Sequence, residues 1–284
     1  FQKSEQAGIN NDNGAYGVKL DYPNDEMTVR FSSQTFESNF NPVLGFVNRR
    51  GIRESVIQGG FKRRFEDSWF EAYRPWVRLT YVTDMENRML GRNFVIFPST
   101  FTSVYGDYMQ SGYEAITDVF DAPFEIYPGV VLPVGRHDYE RNHIWFESSL
   151  SRKAGGSVLY RKGEFFNGKQ SFLRSTVFWR PNPHVHVAAV YDTTNNQFPQ
   201  GRFKTELYSL KKELAINAAW SWLTVIQYDN LSNSTGISSR LNWQPNELSA
   251  LNLVFKSESF KETEYVNSLD RNQLVLKYSY TFRR

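Results

Sequence analysis

Few residues of this chain have the spacing that catalysis or metal binding requires. His184 and His186 are two positions apart, so both imidazoles would lie on one face of a strand, where they could hold a metal ion. The chain has no cysteine, and no group of carboxylates accompanies the two histidines, so we interpret them as a solvated strand end. The serines, histidines and carboxylates form no nucleophile motif. The sequence therefore predicts no catalytic residue, no metal ligand and no cofactor, and we expect the protein not to be an enzyme.

Charged residues at alternate positions offer a different chemistry. If their segments are strands, these residues share a face opposite apolar and aromatic side chains, because successive strand residues point to opposite faces. Such a face could line a water-filled passage and set its ion selectivity, or it could hold ion pairs that only stabilise the wall. The candidate lining residues are Arg30, Arg78, Glu147, Arg161, Arg174, Arg180, Arg240, Lys256, Glu258 and Lys277.

The elements that would position these residues are strands with one apolar and one polar face. The last segment is the clearest example, because its alternate positions are Leu274, Leu276, Tyr278, Tyr280 and Phe282. The residues between them are mostly polar. The same alternation recurs from residue 14 onward, and no segment shows helical spacing as clearly. The sequence predicts an all-β fold.

Composition favours a wall with an apolar outside and a polar inside. The 284 residues are 40% hydrophobic, yet the mean hydropathy is −0.53. The longest apolar stretch, residues 215–226, is interrupted by polar residues and is too short for a spanning helix, which needs about 20 residues. The alternative is a soluble β-sandwich or lipocalin-like barrel, but a closed soluble barrel needs an apolar interior. We therefore predict a transmembrane antiparallel β-barrel of about 14 to 16 strands in meander order, over residues 1–284, in the bacterial outer membrane.

Connections of unequal length indicate which strand ends share a side. Short turns are predicted near 23–25, 66–68, 153–155, 181–183, 211–212 and 244–247, and longer segments at 39–51, 121–142, 192–202, 229–236 and 261–271. Outer-membrane barrels have short periplasmic turns and longer external loops. Trp179 and Trp243 precede short turns, whereas Tyr191 and Tyr228 precede long segments, as expected for two aromatic girdles. The proline-rich segment 121–142 could fold as a cap or an inward constriction.

Strand parity suggests that something is missing from the wall. We count about 15 strands, whereas single-chain bacterial barrels have even numbers and both termini in the periplasm. Either the region 104–137 hides another strand, or the chain is the C-terminal part of a longer protein. We expect a missing segment or a partner to complete the wall beside Leu274 to Phe282.

Several segments resemble a known family. They are Phe40 to Ile52, Ala122 to Ile126, Leu132 to Gly135, Gln227–Tyr228, Arg240 to Trp243 and Leu276 to Tyr278. Together they resemble the C-terminal barrel of bacterial outer-membrane proteins of unknown function that carry a carbohydrate-binding family 9-like domain at the N-terminus. The resemblance implies an N-terminal β-sandwich that is absent here, so glycan binding is not carried over. The ending Phe282-Arg283-Arg284 departs from assembly signals that finish on the aromatic residue.

Three functions remain open on the sequence. The first is a pore or transport component for small polar solutes. The second is a non-conducting anchor or scaffold for a periplasmic or surface domain or a partner protein, and the third is a barrel-embedded hydrolase whose triad is assembled only by folding. The expected partners are outer-membrane lipid and lipopolysaccharide, with a partner protein or the missing N-terminal domain. The net charge of +3 is balanced and gives no reason to expect nucleic-acid binding.

Overall fold

The structure, a computed structural model, is built from β-strands. It describes residues 2–4, 11–42, 47, 49–260 and 269–282. The strands are β1 (Gln2–Lys3), β2 (Gly14–Pro23), β3 (Met27–Phe36), β4 (Ile52–Phe61), β5 (Arg63–Arg64), β6 (Phe70–Tyr73), β7 (Trp76–Asp84), β8 (Met89–Ser103), β9 (Tyr108–Phe120), β10 (Phe124–Tyr127), β11 (Val130–Leu132), β12 (Gly135–Glu147), β13 (Ala154–Phe165), β14 (Gly168–Asn182), β15 (Val185–Phe198), β16 (Gly201–Ala215), β17 (Trp220–Asp229), β18 (Ser234–Asn246), β19 (Ser249–Phe260) and β20 (Leu269–Tyr280). Nothing within these ranges is a helix long and apolar enough to cross a membrane.

The strands form one antiparallel meander. Within the described residues there are fifteen long strands, namely β2 to β4, β7 to β9 and β12 to β20. Each pairs with the next long strand along the chain, for example β15 with β16 and β16 with β17. Five short strands flank this order. β1 pairs with β2, β5 pairs with β6, and β6 pairs with β8, whereas β10 and β11 pair only with each other. The predicted fold class, an all-β antiparallel meander of about 14 to 16 strands, is confirmed.

Cross-strand registers divide the meander into two faces. Directly paired residues share a face, so Ala189, Leu210, Ile226 and Ile237 form one continuous apolar row across β15 to β18. Large apolar side chains on this side are exposed, and the exposed fraction reaches 69% for Leu274 on β20. We call this side the apolar face and the opposite side the polar face.

Aromatic residues bound the apolar face at both ends. The ring centroids of Tyr191 and Tyr208 are 4.8 Å apart, and those of Tyr208 and Tyr228 are 6.2 Å apart. At the other end, Trp220 and Trp243 stack at 5.6 Å. The path from Trp220 to Tyr228 is about 26 Å along the strand at about 3.3 Å per residue. At a tilt of about 40° this spans about 20 Å, close to the apolar band of about 25 Å in outer-membrane barrels.

Lys212 is an exception on the apolar face. It pairs with Val187 and Thr224, and its Nζ lies 5.7 Å from the Trp222 ring centroid. A lysine stem can lie along apolar surface while its ammonium reaches toward an aromatic, polar boundary. The contact with the Trp222 ring therefore explains how this position holds a charge.

Several predicted turns were wrong. The chain turns at 216–219 instead of at Lys211–Lys212, which lies within β16, and residues 192–202 are mostly strand, with a turn at 199–200. Residues 135–142 begin β12, and the preceding 124–132 form the β10–β11 hairpin. Polar composition marks where the apolar band ends, but backbone hydrogen bonds continue the strands beyond it. Of the predicted long segment 261–271, residues 261–268 lie outside the described residues.

The connections define two ends of the meander. The Pro183 end holds the connections at 24–26, 65–69, 104–107, 148–153, 183–184, 216–219 and 247–248. The Gln200 end holds those at 37–42, 49–51, 85–88, 121–134, 166–167, 199–200 and 230–233, and β19 ends and β20 begins there. Tight connections therefore occur at both ends, so the prediction of short turns at one end and longer segments at the other is only partly confirmed.

The first and last long strands each keep one unpaired side. Residues 16–23 of β2 pair with β3, and β20 pairs with β19. On its other side β2 pairs with β1 only through Ala15 and Gly14. Within the described ranges no ladder joins β2 to β20, so the wall is open along this line.

Candidate functional site

All ten predicted lining residues lie on the polar face. Arg30 pairs with Gln58, and Gln58 pairs with Arg78. Glu147, Arg161 and Arg174 follow on β12 to β14, and Arg180 is stacked over Phe178, with its Cζ 4.9 Å from the ring centroid. The registers of β18 to β20 place the remaining candidates on the same face, namely Arg240, Lys256, Glu258 and Lys277.

A row of rings and one guanidinium crosses the polar face from β7 to β14. Trp76 stacks on Phe97 at 4.6 Å, and Phe97 meets His143 edge-on at 5.6 Å. His143 is paired with Arg161, and Arg161 with Phe172. The Arg161 Cζ lies 5.2 Å from the centre of the Phe172 ring, within range of a cation–π interaction. Five neighbouring side chains are thus in contact or directly paired.

Gly112 makes this row possible. A Cβ at residue 112 would lie 2.4 Å from Phe97 Cδ1 and 2.5 Å from the Ile96 carbonyl oxygen. Both distances are far below van der Waals contact, and the carbonyl belongs to the backbone. Phe97 can therefore lie across β9 and reach His143 only because residue 112 has no side chain.

Two ion pairs lie beside this row, one between Glu114 and Arg141 and the other between Asp192 and Arg174. Glu114 Oε2 accepts from Arg141 Nη2 at 2.8 Å and lies 3.2 Å from His143 Nε2. Its Oε1 accepts from Asn93 Nδ2 at 2.9 Å. Glu114 is buried, so these partners replace the water that a buried carboxylate requires. We use "polar-face cluster" for the Trp76 to Phe172 row together with Glu114, Arg141, Arg174 and Asp192.

Arg161 has no such partner. Arg174 donates to both carboxylate oxygens of Asp192, and its Cζ lies 5.7 Å from the same Phe172 ring that Arg161 covers. Arg161 Nε is buried without any hydrogen-bond partner. Within the part of the chain that the structure describes, no carboxylate forms an ion pair with it. The cluster therefore holds one uncompensated positive charge.

The β10–β11 hairpin lies over the polar face at the Gln200 end. Val130 and Leu132 are buried against Phe198, with Phe165 and Phe203 packed around them. Tyr127 stacks on Phe203 at 4.0 Å. Phe165, Phe198 and Phe203 belong to the polar face by their strand registers. The 121–134 connection is therefore held down against that face.

The histidine pair is split between two partners. His184 Nδ1 lies 2.6 Å from the Ala215 carbonyl oxygen, and His186 Nδ1 lies 2.8 Å from Glu213 Oε2. The described ranges contain no group of three or more metal-binding side chains. His137 meets the Pro133 carbonyl oxygen and His143 meets Glu114. In these ranges no histidine is hydrogen-bonded to a serine hydroxyl.

Two carboxylates in the connections of the Pro183 end are held in the charged form. Hydrogen bonds from Arg64 and Lys62 lower the pKa of Asp25 to about 2. The Arg152 guanidinium and the Ser149 amide hold the pKa of Asp107 below its usual range. Asp107 joins the 104–107 and 148–153 connections, so both contacts link neighbouring hairpins.

Sequence reasoning found the arginines but missed most of their partners. The polar face of β9 contains Glu114, and the polar face of β12 contains Arg141 and His143 at alternate positions. Arg141 was hidden because residues 121–142 were interpreted as one interrupted segment. Asp192 alternates with His184 and His186 on the polar face, but it also begins the predicted long segment 192–202, so its pairing with Arg174 is not predicted.

The fold and the distribution of side chains define an antiparallel β wall with one apolar face and one charged, aromatic face. The chain is similar to a solved structure described as "CymD monoaromatic hydrocarbon channel", with 11% sequence identity, a TM-score of 0.26, and coverage of 95% of this chain and 83% of that chain. No protein-family model and no curated protein matches the chain. The fold assignment rests on the strand registers themselves.

Proposed function

We propose that this protein is a β-barrel of the bacterial outer membrane that gives small polar solutes a passage across it. The observation that carries the proposal is the common face of all ten charged candidates, opposite a band of exposed apolar residues. Arginine or lysine facing lipid near the bilayer midplane would cost about 2 to 4 kcal/mol each. Turning the apolar face to lipid and the polar face to a wet interior avoids this cost.

In this proposal the polar-face cluster narrows the passage and sets its charge. Porin-type barrels of 16 to 18 strands leave an aqueous channel, and rings of charged side chains control which ions enter it. Arg78, Arg161 and Arg174 come from different strands and lie beside aromatic rings that restrict their movement. The hairpin β10–β11 reduces the opening at the Gln200 end, which faces the cell exterior.

Planar-bilayer recording of the purified protein tests the passage. We expect stable conductance steps, and larger steps when residues 123–133 are replaced by a short Gly-Ser linker, because the linker removes the packed hairpin. The matched control is a similar replacement of the 85–88 connection at the same end, which should leave the step size unchanged. Silence from folded protein, with and without the hairpin, would contradict a passage.

The second candidate is a non-conducting anchor for a domain or partner protein. The specific observation in its favour is the unpaired line between β2 and β20, which another polypeptide could occupy. A protein that is folded, membrane-inserted and silent in the recording would favour this function. The histidine contacts give no support to an embedded hydrolase.

A further inference from the structure

We propose that Arg161 is the centre of a binding site for small organic carboxylates that carry an apolar ring or chain. This inference rests on the proposed function, because it assigns a solute class to the wet interior of the barrel. Charge, hydrogen-bonding capacity and the surrounding rings each support it.

Charge distinguishes Arg161 from its neighbours. Arg141 is held by Glu114 at 2.8 Å and Arg174 by Asp192 at 2.7 Å. In both pairs a carboxylate of the protein neutralises the arginine, so neither arginine carries an uncompensated charge. Arg161 lies between them on β13 and has no carboxylate partner in the described chain. An anion entering the cluster would complete the third pair.

The hydrogen-bonding capacity of Arg161 is also unused. Its Nε is buried with no acceptor, and an unsatisfied buried donor is destabilising. A guanidinium binds a carboxylate through two parallel N–H···O bonds. A carboxylate that pairs with the guanidinium of Arg161 would therefore neutralise its charge.

The rings around Arg161 favour an apolar group on the ligand. Phe172 is paired with Arg161 on β14 and lies against its guanidinium. On β12 the residue paired with Arg161 is His143, which contacts Phe97 edge-on. Inorganic anions would use only the charge of such a site. A ligand with an apolar ring or chain would also remove part of the aromatic surface from water.

Benzoate binding to the detergent-purified full chain tests the site by titration calorimetry. We expect benzoate to bind more tightly than acetate, and benzamide not to bind measurably, because it lacks the charge. Arg161→Gln should weaken benzoate binding at least about tenfold, the effect of one lost charged partner. Arg161→Lys should recover only part of this loss, since lysine lacks the two-pronged geometry.

Arg240→Gln is the matched control, because Arg240 lies on the polar face away from the cluster. It should leave benzoate binding unchanged. Equal benzoate affinity in the wild type and Arg161→Gln, with both proteins folded by their heat-dependent gel mobility, would overturn the site. If the protein conducts but does not bind benzoate, the site is refuted and the passage stands. If the protein does not conduct, but binds benzoate and loses this binding in Arg161→Gln, the site stands and the passage is refuted.

A second inference comes independently from the open line of the wall. We infer that a further strand lies between β2 and β20, supplied by polypeptide that precedes Gln2. Each unsatisfied backbone group in lipid costs several kcal/mol, so the edges of β2 and β20 require a partner. The fifteen long strands plus one would give an even number, as in single-chain bacterial barrels.

The direction of β1 fits this position. β1 pairs antiparallel with β2 through Gln2↔Ala15 and Lys3↔Gly14, on the side of β2 opposite β3. Both β2 and β20 run from the Gln200 end to the Pro183 end. A strand continuing β1 backward along β2 would be antiparallel to both neighbours. At this register the fourth residue before Phe1 would lie opposite Leu20.

Cysteine pairs in the full-length protein test the strand. Leu20→Cys should form a disulfide with a cysteine at the fourth residue before Phe1, and none with cysteine at Leu274, Leu276 or Tyr278. An intervening strand separates β2 from β20 by about 10 Å, beyond disulfide reach. The positive control is Ser33→Cys with Ser55→Cys, whose hydroxyl oxygens are 3.0 Å apart.

Three outcomes would overturn the inference. A disulfide within one chain between β2 and β20 would show direct closure, and a disulfide-linked dimer would show that a second copy occupies the edge. If Leu20→Cys forms no disulfide with the cysteine upstream of Phe1, although the Ser33–Ser55 control disulfide forms, the segment preceding Gln2 does not occupy this position.

Discussion

Arg174 and Asp192 form a two-pronged ion pair across β14 and β15. Nε of Arg174 donates to Oδ1 of Asp192 at 2.8 Å, and Nη2 donates to Oδ2 at 2.7 Å. The Arg174 side chain is 52% exposed, and exposed pairs contribute only about 0 to 1 kcal/mol to stability. The larger consequence is electrostatic, because Asp192 cancels a positive charge next to Arg161.

Removing that cancellation should change ion selectivity. We expect Asp192→Asn to raise the permeability of chloride relative to potassium, because the polar-face cluster then carries one more uncompensated positive charge. The reversal potential across a salt gradient measures this ratio. Asp25→Asn, in the 24–26 connection, is the charge-matched control and should leave it unchanged. An unaltered reversal potential in Asp192→Asn would show that the pair lies off the ion path.

The assignment of faces predicts unequal effects of charge on neighbouring positions. Leu253→Arg should block or destabilise membrane assembly by about 2 to 4 kcal/mol, because it turns a charge toward lipid. Leu253 pairs with Leu241 and Leu276 on the apolar face. Urea unfolding of the protein in lipid vesicles measures the difference.

Two polar-face variants are the controls for this comparison. Asn252→Arg introduces the same side chain one residue away, and Lys256→Ala removes a charge from the same strand. Both should have mild effects, since water can hydrate that face. Equal losses in Leu253→Arg and Asn252→Arg would refute the assignment of faces.

Single cysteines can report which end of the wall faces the cell exterior, because the native chain has none. We expect an impermeant maleimide to label Gln200→Cys and Ser232→Cys on intact cells, and Lys153→Cys and Pro183→Cys only after the outer membrane is opened. The reason is that the proposed topology places the Gln200 end, where the β10–β11 hairpin lies, at the cell exterior. Labelling of Pro183→Cys on intact cells would reverse the orientation.

The contacts of Asp25 predict a loss of stability in acid. Its pKa is lowered to about 2 by Arg64 and Lys62, from an unfolded value of about 3.9. A group with a lowered folded pKa contributes stability that is complete above its unfolded pKa and is lost as the pH falls through the folded one. We expect the thermal unfolding midpoint in detergent to fall between about pH 4 and pH 2.

Asp25→Asn should show a smaller decrease over this range, because the variant has no carboxylate to protonate. Glu66→Gln changes a carboxylate that forms no ion pair in the described ranges, and it should retain the wild-type slope. Identical pH profiles for wild type and Asp25→Asn would show that the contact to Arg64 and Lys62 contributes no stability.

The alternation of residues was sufficient to predict the strands and their faces. A strand side chain has only two directions, so Leu253 and Lys256 are assigned to opposite faces by counting alone. The same rule placed all ten charged candidates on one face before any strand pairing was known. The all-β class and the approximate strand number followed from the same pattern.

Turns and partners depended on the tertiary structure. Residues 192–202 look polar enough for a loop, yet pairing with β14 and β16 keeps residues 192–198 extended, and no local signal reports that pairing. Glu114 and Arg141 are 27 residues apart, and only the register of β9 with β12 brings them into contact. Sequence periodicity determines the direction of a side chain, whereas the neighbour it meets depends on which strands pair and in what register. For that reason Arg161 could be predicted to face inward, but only the structure shows that it lacks the carboxylate that Arg141 and Arg174 each have.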